Sequence, residues 1–140
     1  MLRGALQQAI FMTSLAVCGC VHVDDPPDAA LSVCDLASDP SSFDGRPVRL
    51  SGVVQAGPDF VRMFDGQCPD SMIDIRLTLD TVETEANGER LWDALYGTRS
   101  SSPLERTVAA VFAGEYRATP NRITSGTLNV SRILAVEVSR

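Results

Sequence analysis

The stretch from Pro47 to Leu79 constrains this chain more than any other. It reads PVRLSGVVQAG, PDFVRMFDGQC and PDSMIDIRLTL, three apolar-periodic runs separated by glycine, proline and aspartate, residues that punctuate local structure. In the first run Val48, Leu50, Gly52 and Val54 alternate with Arg49, Ser51, Val53 and Gln55. Successive side chains of an extended chain point to opposite faces, so this period of two predicts a strand with one face inward. Gly52 inside it marks a bulge or a close backbone approach, as a tightly curved strand requires. Ala56-Gly57-Pro58-Asp59 is the expected hairpin loop, Phe60 to Asp65 the second strand, and Asp65 to Asp70 the next connection. In the third run Ile73, Ile75, Leu77 and Leu79 face one way, while Asp74, Arg76 and Thr78 face the other.

The period then changes. Between Glu83 and Tyr96, the residues Leu91, Trp92, Leu95 and Tyr96 form a helical stripe, which places Trp92 in the core. Asn87-Gly88 interrupts the segment, so regular helix is expected from near Glu89, with Gly97 closing it. Arg99 to Arg106 reads as a loop. TVAAVFAGEY, residues 107 to 116, reads as a strand buried on both faces or in contact with the helix. Arg117 to Gly126 is a long polar connection. Thr127 to Val138 is the last strand, with Leu128, Val130, Leu134, Val136 and Val138 in phase. The resulting order, β-β-β-α-β-β, resembles the OB-fold, a five-stranded, partly open Greek-key barrel. That resemblance implies a helix plugging one end of the barrel. Another small α+β barrel or roll is the alternative.

Upstream of the barrel the chain has a different character. Met1 to Cys20 has one positive charge, Arg3, and then the apolar stretch AIFMTSLAV. Ala5 to Val17 is shorter than the roughly 20 apolar residues a permanent membrane helix needs and fits an export signal instead. VCGC, residues 17 to 20, resembles the bacterial lipoprotein signal, the lipobox, with Gly19 directly before Cys20 and Cys18 at the position where a small or β-branched residue is usual. The resemblance implies that Cys20 is lipidated and begins the mature protein. It divides the chain into a signal peptide (1–19), a tether (20–31) and an OB-fold-like domain (32–140). It also implies a lipid-anchored protein of the bacterial cell envelope, at the outer membrane facing the periplasm; without lipidation the chain reads as secreted. The run CDLASDPSSFDGRPVRLSGVV, with DGQCP after it, is similar to bacterial exported proteins of uncharacterised function, a likeness that implies compartment and fold but no activity.

With the leader removed and Cys20 carrying lipid, two thiols remain, Cys34 and Cys68. In an oxidising compartment they are expected as a disulfide that pins the lead-in against the loop after the second strand. Closing such a loop is worth about 4 kcal/mol in the chain-entropy account. A redox pair normally has CxxC spacing, and two thiols without further ligands make a weak zinc site. The lead-in Leu31 to Ala37 reads as a helix turn or a strand edge, with Phe43 as an anchor into the core.

The formal net charge is −6 and the arginines fall singly, so no nucleic-acid partner is expected. The face of the second and third strands, which resembles the ligand face of OB-fold proteins, carries Phe60, Arg62, Phe64 and Arg76 as a candidate ligand surface. The simpler expectation is that both Phe rings fill the barrel and Arg62 is solvated. Sugar-stacking aromatics would come from Phe60, Phe64, Trp92 or Tyr116, and recognition loops from Ala56–Asp59 and Arg117–Gly126. His22, the single histidine, lies in the tether, so no metal site and no cofactor are expected. Asp65, Asp70 and Asp74 lack the central glycine and terminal glutamate of a calcium loop. GxSxG, HExxH and a glycine-rich phosphate loop are all missing from the sequence. These readings favour a membrane-tethered envelope module with no catalysis and an envelope protein or a saccharide as partner. A nucleic-acid-binding barrel and an Asp/Glu hydrolase are the alternatives.

Overall fold

The computed structural model describes residues 28–97, 107–119 and 123–139. The leader, Cys20, His22 and the loop 98–106 lie outside the described residues. Six strands form one sheet: β1 (Leu31–Ser32), β2 (Pro47–Ala56), β3 (Val61–Phe64), β4 (Met72–Arg76), β5 (Thr107–Arg117) and β6 (Gly126–Ser139). Their order is β1-β2-β3-β4-β6-β5, and β5 pairs back onto β2, which closes the sheet. The barrel strands β2 to β6 therefore run 1-2-3-5-4-1, with β4 and β6 parallel and the other barrel pairs antiparallel. This is an OB-fold-like barrel with one extra strand.

Strand β2 is long enough to serve three neighbours. Residues 47–54 pair with β5 along one edge, while 53–56 pair with β3 on the other. Strand β3 is too short to cover the rest of that edge, and β1 fills the gap by pairing Leu31 with Leu50 in parallel. Gly52 sits where β2 curves under β3. A Cβ there would lie 2.7 Å from Met63 Cγ and 2.8 Å from the Phe64 carbonyl oxygen, so the position needs a residue without a side chain.

Alternation places Val48, Leu50 and Val54 of β2, Met63 of β3, and Ile73 and Ile75 of β4 in the core. Val108, Phe112 and Tyr116 of β5 join them, with Leu128, Val130, Ile133 and Val136 of β6. Helix α1 (Val33–Ser38) makes the lead-in part of this core, because Val33 and Leu36 are both fully buried in it. It starts with a reciprocal cap: Ser32 Oγ accepts from Asp35 N, and the Asp35 carboxylate accepts from Ser32 N. A short turn of helix, α2 (Pro40–Phe43), follows, and Phe43 packs against the core. The Cys34–Cys68 disulfide joins α1 to the β3–β4 connection, with Cα atoms 5.7 Å apart.

Two sequence expectations need correction here. Leu79 does not continue the third strand. Thr78 caps a helix, α3 (Leu79–Thr84), by accepting from Thr81 N at 3.1 Å, and Leu79 is left exposed on its first turn. A second helix, α4 (Gly88–Tyr96), buries Leu91 and packs Ala94 and Leu95 against the core. Trp92 lies on its outer side, 44 % exposed, because the inward stripe is narrower than the four-residue set read from the sequence.

The phase of β6 also departs from simple alternation. Its pairing with β5 shifts register between Val111 and Phe112 and again between Ala113 and Gly114. Each bulge adds one residue on β6. Burial therefore passes from Leu128 and Val130 to Ile133 and then Val136, leaving Leu134 half-buried and Val138 exposed. The slip between Val111 and Phe112, where Leu134 is the extra residue, is held from outside the sheet. Glu85 accepts from Ile133 N at 3.2 Å, and Asn87 Nδ2 donates to the carbonyls of Ile133 and Leu134 at 3.1 Å each.

Candidate functional site

Met63 points inward, so Arg62 and Phe64 of β3 must point out. Ile73 and Ile75 point inward, so Met72, Asp74 and Arg76 of β4 share that outer face. The antiparallel register sets Arg62 opposite Asp74 and Phe64 opposite Met72. Arg62 Nε donates to Asp74 Oδ1 at 3.0 Å, and Thr124 donates to Asp74 Oδ2 at 3.1 Å. Both carboxylate oxygens are thereby engaged. The Arg62 guanidinium carbon lies 4.5 Å from the centroid of the Phe60 ring, a cation–π contact. Phe60 is positioned by the tight turn in which Gly57 N donates to the Phe60 carbonyl at 2.8 Å. A Cβ on Gly57 would come within 2.7 Å of Phe60 Cζ, so glycine lets the ring lie back over the turn.

The structure thus brings Phe60 and Arg62 into direct contact, with Phe64 and Arg76 farther along the same outer face. The two Phe rings do not fill the barrel, because Met63 occupies that position. Arg62 is not a solvated cation either; it is clamped between a ring and a carboxylate, its side chain 24 % exposed. Arg76 is exposed at the end of the same face, beside Asn129 of β6. Phe64 turns to a groove over β2, β5 and β6, a cavity of about 340 Å³ whose walls include Val53, Val111 and Ala135.

The other aromatic candidates exchange roles. Tyr116 is fully buried, and its hydroxyl donates to the Ser125 carbonyl at 2.9 Å. Burial, and secondarily the Asp44 charge, push its phenol up to about 12. Trp92 and Tyr96 instead form an outer pair on α4, with ring centroids 4.6 Å apart and planes tilted by 43°. Among the described residues no group of three or more His, Cys, Asp or Glu side chains is placed to hold a metal ion.

Sequence reasoning missed Asp74 and Thr124 as the partners that immobilise Arg62, and it missed the groove. Asp74 was visible as the polar residue between Ile73 and Ile75, but the strand register that sets it opposite Arg62 was not. The groove is built on alanines and valines that carry no chemical signal of their own. No protein-family model, curated protein or solved structure matches this chain.

Proposed function

We propose that this protein is a lipid-anchored module of the bacterial cell envelope whose barrel binds a partner non-covalently and catalyses nothing. The observation that carries the compartment is the Cys34–Cys68 disulfide, since such bonds persist where the surroundings are oxidising. The leader ending in Gly19-Cys20 points the same way and supplies the anchor, in the outer membrane facing the periplasm. For binding rather than catalysis, the support is the state of Asp74. It lies opposite Arg62 on the aromatic face, and Arg62 and Thr124 take both its oxygens, an arrangement that stiffens this part of the surface.

The test is to replace Cys20 with Ser in the exporting host, follow the partition between membrane and soluble fractions, and affinity-purify the full chain from its envelope. Unchanged mass and unchanged partition in the variant end the anchor. Turnover of an envelope substrate that is lost in a single carboxylate variant, with the fold intact, ends the non-catalytic reading. A saccharide partner is a second reading, favoured by the exposed, tilted Trp92–Tyr96 pair, which offers aromatic surface to an apolar sugar face. Titrating cell-wall saccharides against the wild type and Trp92→Ala checks it, and equal response in both removes it.

A further inference from the structure

The groove beside Phe64 has an order that its composition hides. Strand pairing aligns four residues in one row across the sheet: Glu137 opposite Ala109, Ala109 opposite Val53, and Val53 opposite Phe64. All four line the cavity, and Asp65 lines it just beyond Phe64. The row therefore has a small apolar floor with a carboxylate at each end. Neither carboxylate forms an ion pair with a described residue, and Asp65 uses one oxygen to accept from Gln67 N at 2.9 Å. Arg49, one outward position beyond Ser51 on β2, pairs with Asp28 instead of filling the groove.

We infer that this groove binds an extended peptide segment of a partner protein, with basic side chains four residues apart and an apolar residue midway between them. The inference rests on the binding reading above and is independent of the lipid anchor. Three inter-strand steps separate Glu137 from Phe64, about 14 Å at ~4.8 Å per step. In an extended chain, side chains at i and i+4 share a face and lie about 13 Å apart, with i+2 between them on that face. The two basic groups then meet Glu137 and Asp65, and the central apolar side chain lies on Ala109 and Val53. The second cation also meets the Phe64 ring next to Asp65. Charge complementarity selects this occupant, because a second copy of so acidic a chain would bring like charge to both ends.

The test uses the detergent-solubilised full chain and fluorescent peptides with the core Lys-Ser-Leu-Ser-Lys. Binding should be saturable and weaken with salt. Exchanging both lysines for glutamine should weaken it by about four- to 25-fold, and moving them to two residues apart should cost at least one of the two pairs. Glu137→Gln should weaken it by about two- to fivefold, as expected for an exposed ion pair, and Val111→Arg should eliminate it by filling the groove. Circular dichroism of both variants checks that they keep the wild-type fold. No saturable binding overturns the inference, as does binding that ignores lysine spacing or survives both substitutions. Competition by free polyamine as effective as the peptide overturns the peptide assignment. Membrane partition of the Cys20→Ser variant reads the anchor separately, so failure of one leaves the other interpretable.

Discussion

Asn87 holds β6 at the place where that strand slips, its amide nitrogen 3.1 Å from the carbonyl oxygens of both Ile133 and Leu134. A bulge leaves backbone groups without ladder partners, and here a side chain from the α3–α4 junction takes them up. Replacing Asn87 with Ala strands two half-buried acceptors and should cost about 1–3 kcal/mol. Urea unfolding of the variant measures it, and an unchanged midpoint would show that water replaces the amide without loss.

Alkaline pH should reveal Tyr116. Its phenol ionises at about 12 in the folded protein against 10.0 for the ordinary group. A raised acid constant means the folded state favours the neutral form. The stability contributed is therefore complete below pH 10 and declines as pH rises toward 12, where the unfolded chain ionises first. Tyr116→Phe should flatten that decline while losing about 1 kcal/mol at neutral pH with the bond to Ser125. Urea midpoints across this range, together with the phenolate absorbance, test both parts.

Two neighbours on α4 should behave in opposite ways. Leu91 is 1 % exposed in the core, whereas Trp92 is 44 % exposed. Leu91→Ala should cost about 2–5 kcal/mol by leaving a cavity. Trp92→Ala should cost about 1 kcal/mol or less, mainly the contact with Tyr96. Thermal unfolding of the pair decides, and a larger loss for Trp92 would mean that its outer face is covered in solution.

Removing the disulfide should loosen the lead-in before the barrel. Cys34→Ser with Cys68→Ser should lower stability by about 2–4 kcal/mol and leave a folded domain, since most of the core lies in β2 to β6. Hydrogen exchange should show α1 opening first. Because Val33 and Leu36 are fully buried, α1 should remain docked most of the time even so.

Strands β2 and β4 were legible because Val48 and Leu50 alternate with Arg49 and Ser51, and Ile73 and Ile75 with Asp74 and Arg76, whereas β3 was legible only from the turn residues that bound it. The α3–α4 pair was half legible. Asn87-Gly88 showed as an interruption, but its task at β6 depends on a bulge more than forty residues downstream, which no local pattern encodes. Thr78 with Thr81 was a cap hidden inside an apparent strand, since Leu77 and Leu79 kept the strand period across the boundary. Phe60 and Phe64 were misjudged because ring size argues for burial, whereas the parity set by Met63 decides the face. The groove was illegible in principle: Ala109, Val53 and Glu137 become neighbours only through pairing of distant strands.

The bond between Cys34 and Cys68 closes a covalent ring of the chain whose ends are 34 residues apart in sequence. That ring contains all of β2 and β3 and the turn between them, where Pro58 and Asp59 are exposed. A protease that cuts this turn severs the polypeptide, but it cannot separate the pieces, because the amino-terminal part holds Cys34 and the remainder holds Cys68. Any lipid on Cys20 would then still tether the carboxy-terminal fragment, through sulfur instead of through the peptide chain. Release of that fragment by a cut at this turn would require a reduction as well, in either order.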